Sequence, residues 1–457
     1  MTLRDTFETA AARLGVPIQL EPHSAVEERL ERTRRQADFS ARNAALIALL
    51  VDYPYDPSVL VTALSSELFV DRPLEQALMA ADALRLVVFP PDRDADRQAL
   101  QALAQRACRL GLVERDAPFR GMLADRTALH ASAYNDLQQR FAIVAPTSTT
   151  GALKQRVIES DRLTPDELEQ LLEAAATEAD VEALLLINAH STRSELPSAA
   201  TYARACSAIL ARADALLTAG LPAAANYLLL LLADLEDDDF AEAMIAESLL
   251  DAGDAAQASA LIEETVDQRA GHAHETLVAL RARAALALGD LEGAGRQLAP
   301  YLDLGEREAD TLGAVHPQLV SAAVEYCLRV EIAHPVCQAL PAVLRVHPGD
   351  RYANLLRCTI EFGLLRSHGL DDAAFLLFRQ LLIDFPGYRR AWDFFREQLE
   401  LADPPFSAIE AVIEAIVTQH LFALPVWRGI AELGSLPPSW RAAIGALIET
   451  CSQRQRV

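Results

Sequence analysis

His272 and His274, in GHAHET with Glu275 beside them, come closest in this sequence to a metal-binding spacing. Two histidines share a helix face when they lie three or four residues apart; two apart, they face different ways. The stretch reads as a polar loop or helix start, with a fragment of a metal site as the rival. The acidic run Asp234, Glu236, Asp237, Asp238 and Asp239 suggests a cation at first sight. A calcium loop sets its ligands at fixed spacings around a glycine turn, and this run has neither. Asp239 is expected instead to cap a helix starting near Phe240, with Glu242 favouring its dipole. His23, His130, His190, His316, His334, His347, His368 and His420 are scattered. His334 and His347 precede prolines and His368 precedes a glycine, which is turn chemistry. The sequence has no glycine-rich phosphate loop, HExxH, GxSxG or Walker lysine. No catalytic residue, metal ligand or cofactor is expected from these motifs.

The cysteines at 108, 206, 327, 337, 358 and 451 form no CxxC. They read as buried free thiols in a reducing cytosol, so a cytoplasmic location is expected. The formal charge of -24 argues against nucleic acid as a partner. The start, MTLRDTFETAAARLG, is broken by charges and does not read as a secretory signal. The most apolar stretch, YLLLLLA from Tyr227 to Ala233, is far shorter than a membrane span.

The elements that would position any site are helices. The chain has 457 residues, 51% hydrophobic and only 19 of them glycine, which suggests several domains or an extended repeat array. Alanine and leucine, both strong helix formers, dominate. Thr164, Pro165 and Glu167 form a capping-box signature, and Leu168, Leu171 and Leu172 then give one apolar face. RNAALIALLVD, LEQALMAADALRLVV and DRQALQALAQRACRLGLV have the same texture, while FAIVAP at 141 to 146 is too short to build a sheet. PTSTTG, 146 to 151, marks a boundary between an amino-terminal helical module and the remainder of the chain.

A spacing then recurs. Gly220, Gly253, Gly289 and Gly369 each follow an apolar helix end, and five residues on stand Ala225, Ala258, Ala294 and Ala374. Glycine takes the left-handed conformation that ends a helix, and a small residue lets the next helix approach closely. A helix pair of this size buries its apolar face only by stacking on neighbours.

On these residues the sequence resembles the tetratricopeptide repeat family over roughly 198 to 405. Pro386 falls seventeen residues after Gly369, where the family places its terminal proline. Trp392 then stands where the family prefers tryptophan, with Phe395 and Leu399 on the same stripe; Pro348, Leu356 and Ile360 play these parts one unit earlier. The chain departs from the family in its Pro348 to Pro386 spacing of 38, against the family's 34. It also lacks the Leu-Gly pair, with Ala282 and Ala285 replacing larger residues in one unit.

The resemblance implies an all-α helix-turn-helix solenoid with an additional helical amino-terminal module: a module over 1–150, an array over 151–405 and a helical cap over 406–457 carrying Trp427 and Trp440. It implies a scaffold or adaptor that binds a protein or peptide on the inner face formed by first helices. In family register that face takes Arg283 and Leu286, then Tyr352, Leu355 and Thr359, then Arg390, Asp393 and Glu397, all pointing away from the contact within each pair. The rival expectation is an all-helical enzyme, or an accessory subunit of one, with a pocket between module and solenoid.

Overall fold

The computed structural model describes residues 21–66, 69, 72–88, 94–109, 126–143, 145–146, 148–159, 163–190, 198–218, 220–236, 239–268, 275–306, 317–402, 404, 406–434 and 436–455. His272 and His274 lie outside them, as do Asp237 and Asp238. Among the described residues the architecture is all-helical, with 23 α-helices and no sheet.

In chain order the helices are α1 (Glu21–Arg34), α2 (Phe39–Asp52), α3 (Pro57–Leu64), α4 (Pro73–Leu86), α5 (Asp94–Arg109) and α6 (Arg126–Ile143). Then come α7 (Thr149–Ile158), α8 (Pro165–Glu178), α9 (Val181–His190), α10 (Ala199–Thr218), α11 (Pro222–Glu236) and α12 (Asp239–Asp251). They continue as α13 (Ala255–Gln268), α14 (Glu275–Ala287), α15 (Leu291–Leu298), α16 (Pro317–Arg329), α17 (Leu340–Val346) and α18 (Arg351–Ser367). The last are α19 (Asp371–Asp384), α20 (Arg389–Ala402), α21 (Phe406–Gln419), α22 (Leu424–Ala431) and α23 (Pro438–Gln455).

Local chemistry sets many of these starts. Asp38, Asp56, Ser148, Asp290 and Asp350 each accept a backbone N–H with the side chain at a helix start. Thr164 and Glu167 close the expected capping box on α8, with Pro165 at its first position. The expected cap at Asp239 is placed differently: Asp239 is itself the first residue of α12. Phe141 to Ile143, the start of FAIVAP, end α6.

The glycine turn recurs as a single structure. Gly220, Gly253, Gly289 and Gly369 have φ of 76°, 85°, 81° and 72°. Each glycine N–H donates to the carbonyl three residues back, and the next N–H reaches the carbonyl five residues before it; for Gly289 these acceptors are Leu286 and Ala285. That is the Schellman pattern, four times over. Five residues after each glycine, the N–H of Ala225, Ala258, Ala294 or Ala374 starts the next helix on the carbonyl of the residue after the glycine. All four alanines are fully buried. Ala294 clusters with Ala285 and Leu286 of the preceding helix, the close approach its size permits.

The chain divides into two compact units. Unit 1 comprises Met1–Ala241, Thr418–Ala431 and Pro438–Val457; unit 2 comprises Glu242–Val417 and Glu432–Pro437. At the centre of unit 1 lies α11, packed against α4, α9 and α10. Its run from Tyr227 to Ala233 is buried at every position, as expected of a helix apolar all round. The carboxyl-terminal segment of unit 1 is tied by Val88 N–H donating to Phe422 O at 2.8 Å, and Trp427 donates to Leu421 O at 2.9 Å.

Unit 2 has a core running from α14 through α16 to α18, including Leu298, Leu319, Val324, Val336, Tyr352 and Leu356. Beyond it, Phe362, Phe375, Phe378, Phe394, Phe395 and Trp392 pack edge-on and tilted. Trp392 is buried as its position implies, and its indole donates to Pro386 O at 2.9 Å.

Candidate functional site

Five helices of unit 2 bring charged side chains to one place. On α12, Glu247 and Asp251 are one turn apart and so share a face. Arg283 comes from α14, and Gln318, Glu325 and Arg329 come from α16, two turns and then one turn apart. Arg351 and Tyr352 open α18, Arg390 opens α20, and Tyr388 immediately precedes α20. Each is a polar letter in an otherwise apolar helix face, so burial of that face carries it inward.

Arg283 is the innermost, its side chain 1% exposed. It spans Glu247 and Asp251, both at 3.3 Å, while Arg351 holds the other oxygen of Asp251 with Nε at 2.6 Å. The guanidinium of Arg283 lies 4.0 Å from the ring centroid of Tyr352, and that of Arg390 lies 5.3 Å from the same ring. Tyr352 is thus in contact with two cations. Its hydroxyl donates to Glu325, whose other oxygen accepts from Arg390 at 2.9 Å and Arg329 at 2.8 Å. Arg329 also donates to the carbonyl of Leu286 at 3.0 Å. Exposure rises along the cradle: Arg351 is 11% exposed, Arg390 27% and Arg329 41%.

The field follows from this geometry. Burial alone would raise the Glu325 carboxyl, but Arg390, the Tyr352 hydrogen bond and Arg329 overcome it and hold Glu325 below its ordinary value. Burial would lower Arg283, yet Glu247 and Asp251 raise it above the usual arginine value. Burial and then Asp251 push the Tyr388 hydroxyl up, against Arg390, Arg283 and Arg351. Glu325 is thus held in its ionised form and the Tyr352 and Tyr388 phenols in their protonated forms.

Three of the eight residues singled out from sequence meet here: Arg283, Tyr352 and Arg390. Leu286 contributes its carbonyl, and its side chain is buried. Leu355 is buried, and Thr359 is half-buried with its hydroxyl on Leu355 O at 2.9 Å. Asp393 lies apart, paired with Arg389 at 3.2 Å and Arg396 at 3.0 Å, and Glu397 is exposed. Arg283, Leu286, Tyr352 and Leu355 are interior groups. Sequence reading passed over Glu247, Asp251, Glu325, Arg329, Arg351 and Tyr388. The signal available for them was ionic letters at i and i+4 in AESLLD and VEYCLR, on faces otherwise apolar.

Unit 1 holds a second ionic cluster, sealed from solvent. Arg72, Glu75, Lys154, Asp180, Glu182, Arg212 and Tyr227 are all buried. Asp180 accepts from Lys154 at 2.6 Å and Arg72 at 3.2 Å, Arg72 reaches Glu178 at 2.6 Å, and Arg212 pairs with Glu75. Tyr227 donates to Glu182 at 2.9 Å. Burial lifts Glu182 to about 8, against the pull of Lys154. Asp180, despite its burial, is held at about 2 by Arg72 and Lys154. An open cavity of about 490 Å³ in unit 1 is lined by Thr33, Arg34, Arg42, Leu46, Val61, Thr62, Ser65 and Ser66. Among the described residues no group of three or more His, Cys, Asp or Glu is arranged to hold a metal ion, and no helix is long and apolar enough to cross a membrane.

No family model matches the chain, and no curated protein matches it.

Proposed function

We propose that the protein is a scaffold that binds a protein or peptide through the first-helix face of a tetratricopeptide-like array in unit 2. Three glycine turns of unit 2, at Gly253, Gly289 and Gly369, share one hydrogen-bond pattern and support the array reading, since stacked helix pairs present an extended face. The observation that carries the binding reading is the cradle itself. It sets Arg283 and Arg390 against Tyr352 and grades outward to the half-exposed Arg390 and Arg329. Arg390 and Arg329 are the arginines of the cradle that reach solvent, and arginine is a residue on which binding energy concentrates at interfaces. All six thiols are free, which suits the cytoplasmic location read from the sequence.

The test is partner capture on the immobilised full chain, followed by titration of the captured partner. Arg390→Gln should weaken binding by about thirtyfold or more, a hot-spot loss, with helicity unchanged. Arg357→Gln, an exposed change on α18, should leave it alone. Equal affinity in all three proteins would remove this face from the proposal, and turnover of a small molecule by the purified chain would replace the scaffold with an enzyme.

A further inference from the structure

Charge and hydrogen bonding in the cradle are both left incomplete by the chain's own residues. Arg283, Arg329, Arg351 and Arg390 face Glu247, Asp251 and Glu325. Arginine stays protonated at any physiological pH, so four fixed cations meet three anions. One positive charge remains, in a chain whose net charge is -24. The Tyr388 hydroxyl and the Arg283 Nε are buried donors with no hydrogen-bond partner, and Gln318 Oε1 is a buried acceptor with none. Tyr388 feels Asp251, Arg390, Arg283 and Arg351, which come from four helices. An Nε–H only donates, and a phenol that keeps its proton donates as well. Two unmet donors and one surplus positive charge specify an acceptor that carries one negative charge.

We infer that the cradle bounded by Arg283, Arg351, Arg390 and Tyr388 receives a single carboxylate, presented by an Asp or Glu side chain of the peptide that unit 2 binds. The inference rests on the scaffold reading for the source of that carboxylate. A phosphate ester carries roughly -1.5 to -2 at neutral pH and would overbalance the site. An amide brings no charge. The half-exposed Arg329 and Arg390 mark the side from which the ligand enters, and Tyr388 and Arg283 complete its hydrogen bonds at depth.

The experiment uses the full chain and fluorescein-labelled hexaglutamate, hexaglutamine and hexaphosphoserine, read by anisotropy at low and physiological salt. Hexaglutamate should bind, more weakly as salt rises, and hexaglutamine should bind at least about tenfold less well. Tyr388→Phe removes only the unpartnered hydroxyl. It should keep the melting midpoint and lose about three- to tenfold in hexaglutamate affinity, the net worth of one ordinary hydrogen bond. Arg390→Gln should lose more. Equal binding of hexaglutamate and hexaglutamine, tighter binding of hexaphosphoserine, or wild-type affinity in Tyr388→Phe would each overturn the inference. If the captured partner binds Tyr388→Phe as it binds wild type, the carboxylate subsite falls and the scaffold stands. Tyr388-dependent hexaglutamate binding with no partner captured upholds the subsite and removes the scaffold.

Discussion

Gly363 and Gly369, six residues apart, should respond to the same substitution in opposite directions. Gly363 lies inside α18, and a Cβ there meets nothing within 4 Å. Gly363→Ala should stabilise the protein by about 0.5–1 kcal/mol, by restricting the unfolded chain and favouring the helix. Gly369 also has open space around a Cβ, but its φ is +72°. Gly369→Ala should cost about 1–2 kcal/mol from backbone strain alone. Urea melts of the two variants measure both, and a matching sign would mean that the turn is not held left-handed. Gly369 was legible in the sequence because the reason for it is local: an apolar helix end, a residue free to take positive φ, a small residue five further on. Burial of Tyr352 was not legible. Helical register gave its phase on α18, but the groups that cover it, Arg283 and Arg390, come from other helices.

At the scale of elements, the sealed cluster of unit 1 makes pH the informative variable. Glu75, Glu178, Asp180 and Glu182 face Arg72, Lys154 and Arg212, so four acids meet three bases. Glu182, raised by burial to about 8, is the acid that keeps a proton. The ordinary glutamate value is 4.5, so the folded state binds this proton more tightly than the unfolded chain. Its contribution is therefore full below pH 4.5 and is lost as pH rises towards 8, at about 1.4 kcal/mol per pH unit. Asp82, which accepts the Ala224 N–H at the start of α11, is raised by burial to about 6 and adds the same sign between 3.8 and 6. Asp180 acts oppositely: held at about 2, it gives up its stabilisation as pH falls from 3.8. Glu182→Gln, which mimics the protonated acid, should flatten the decline in stability between pH 6 and 8 seen in denaturant melts. An unchanged slope would mean that Glu182 is ionised in the fold. The helices carrying this cluster were readable from their caps and apolar faces. The cluster itself was not, because Arg72 and its partner Glu178 are 106 residues apart. A single charged letter in an apolar helix does not show which distant helix answers it.

For the whole molecule, the division into two units, each with its own buried ionic cluster, predicts localised damage. Arg283→Met leaves Glu247 without its guanidinium and removes one of the two cations on Asp251. Breaking a buried pair from one side costs about 3–5 kcal/mol. In hydrogen exchange the loss of protection should concentrate in α14, α16 and α18, with α4, α9 and α11 of unit 1 retaining theirs. Uniform loss across both sets would show that the chain opens as one cooperative body. All-helical architecture was the part of this scale that composition and glycine scarcity made plain. Membership of Thr418–Ala431 and Pro438–Val457 in unit 1 rests on contacts such as Val88 with Phe422, between segments more than 300 residues apart, and no local pattern announces such a return.

The chain's three tryptophans are divided between the units, Trp392 in unit 2 and Trp427 and Trp440 in unit 1, and all are buried. Each unit therefore carries its own fluorophore in an apolar setting. With Trp392 replaced by Phe, emission comes from unit 1 alone; with Trp427 and Trp440 replaced, a single indole in unit 2 remains. The Trp392 signal follows the unit that holds the cradle. The Trp427 and Trp440 signal, recorded across pH, follows the unit that holds Glu182. Two spectra from one chain separate what a melting curve adds together.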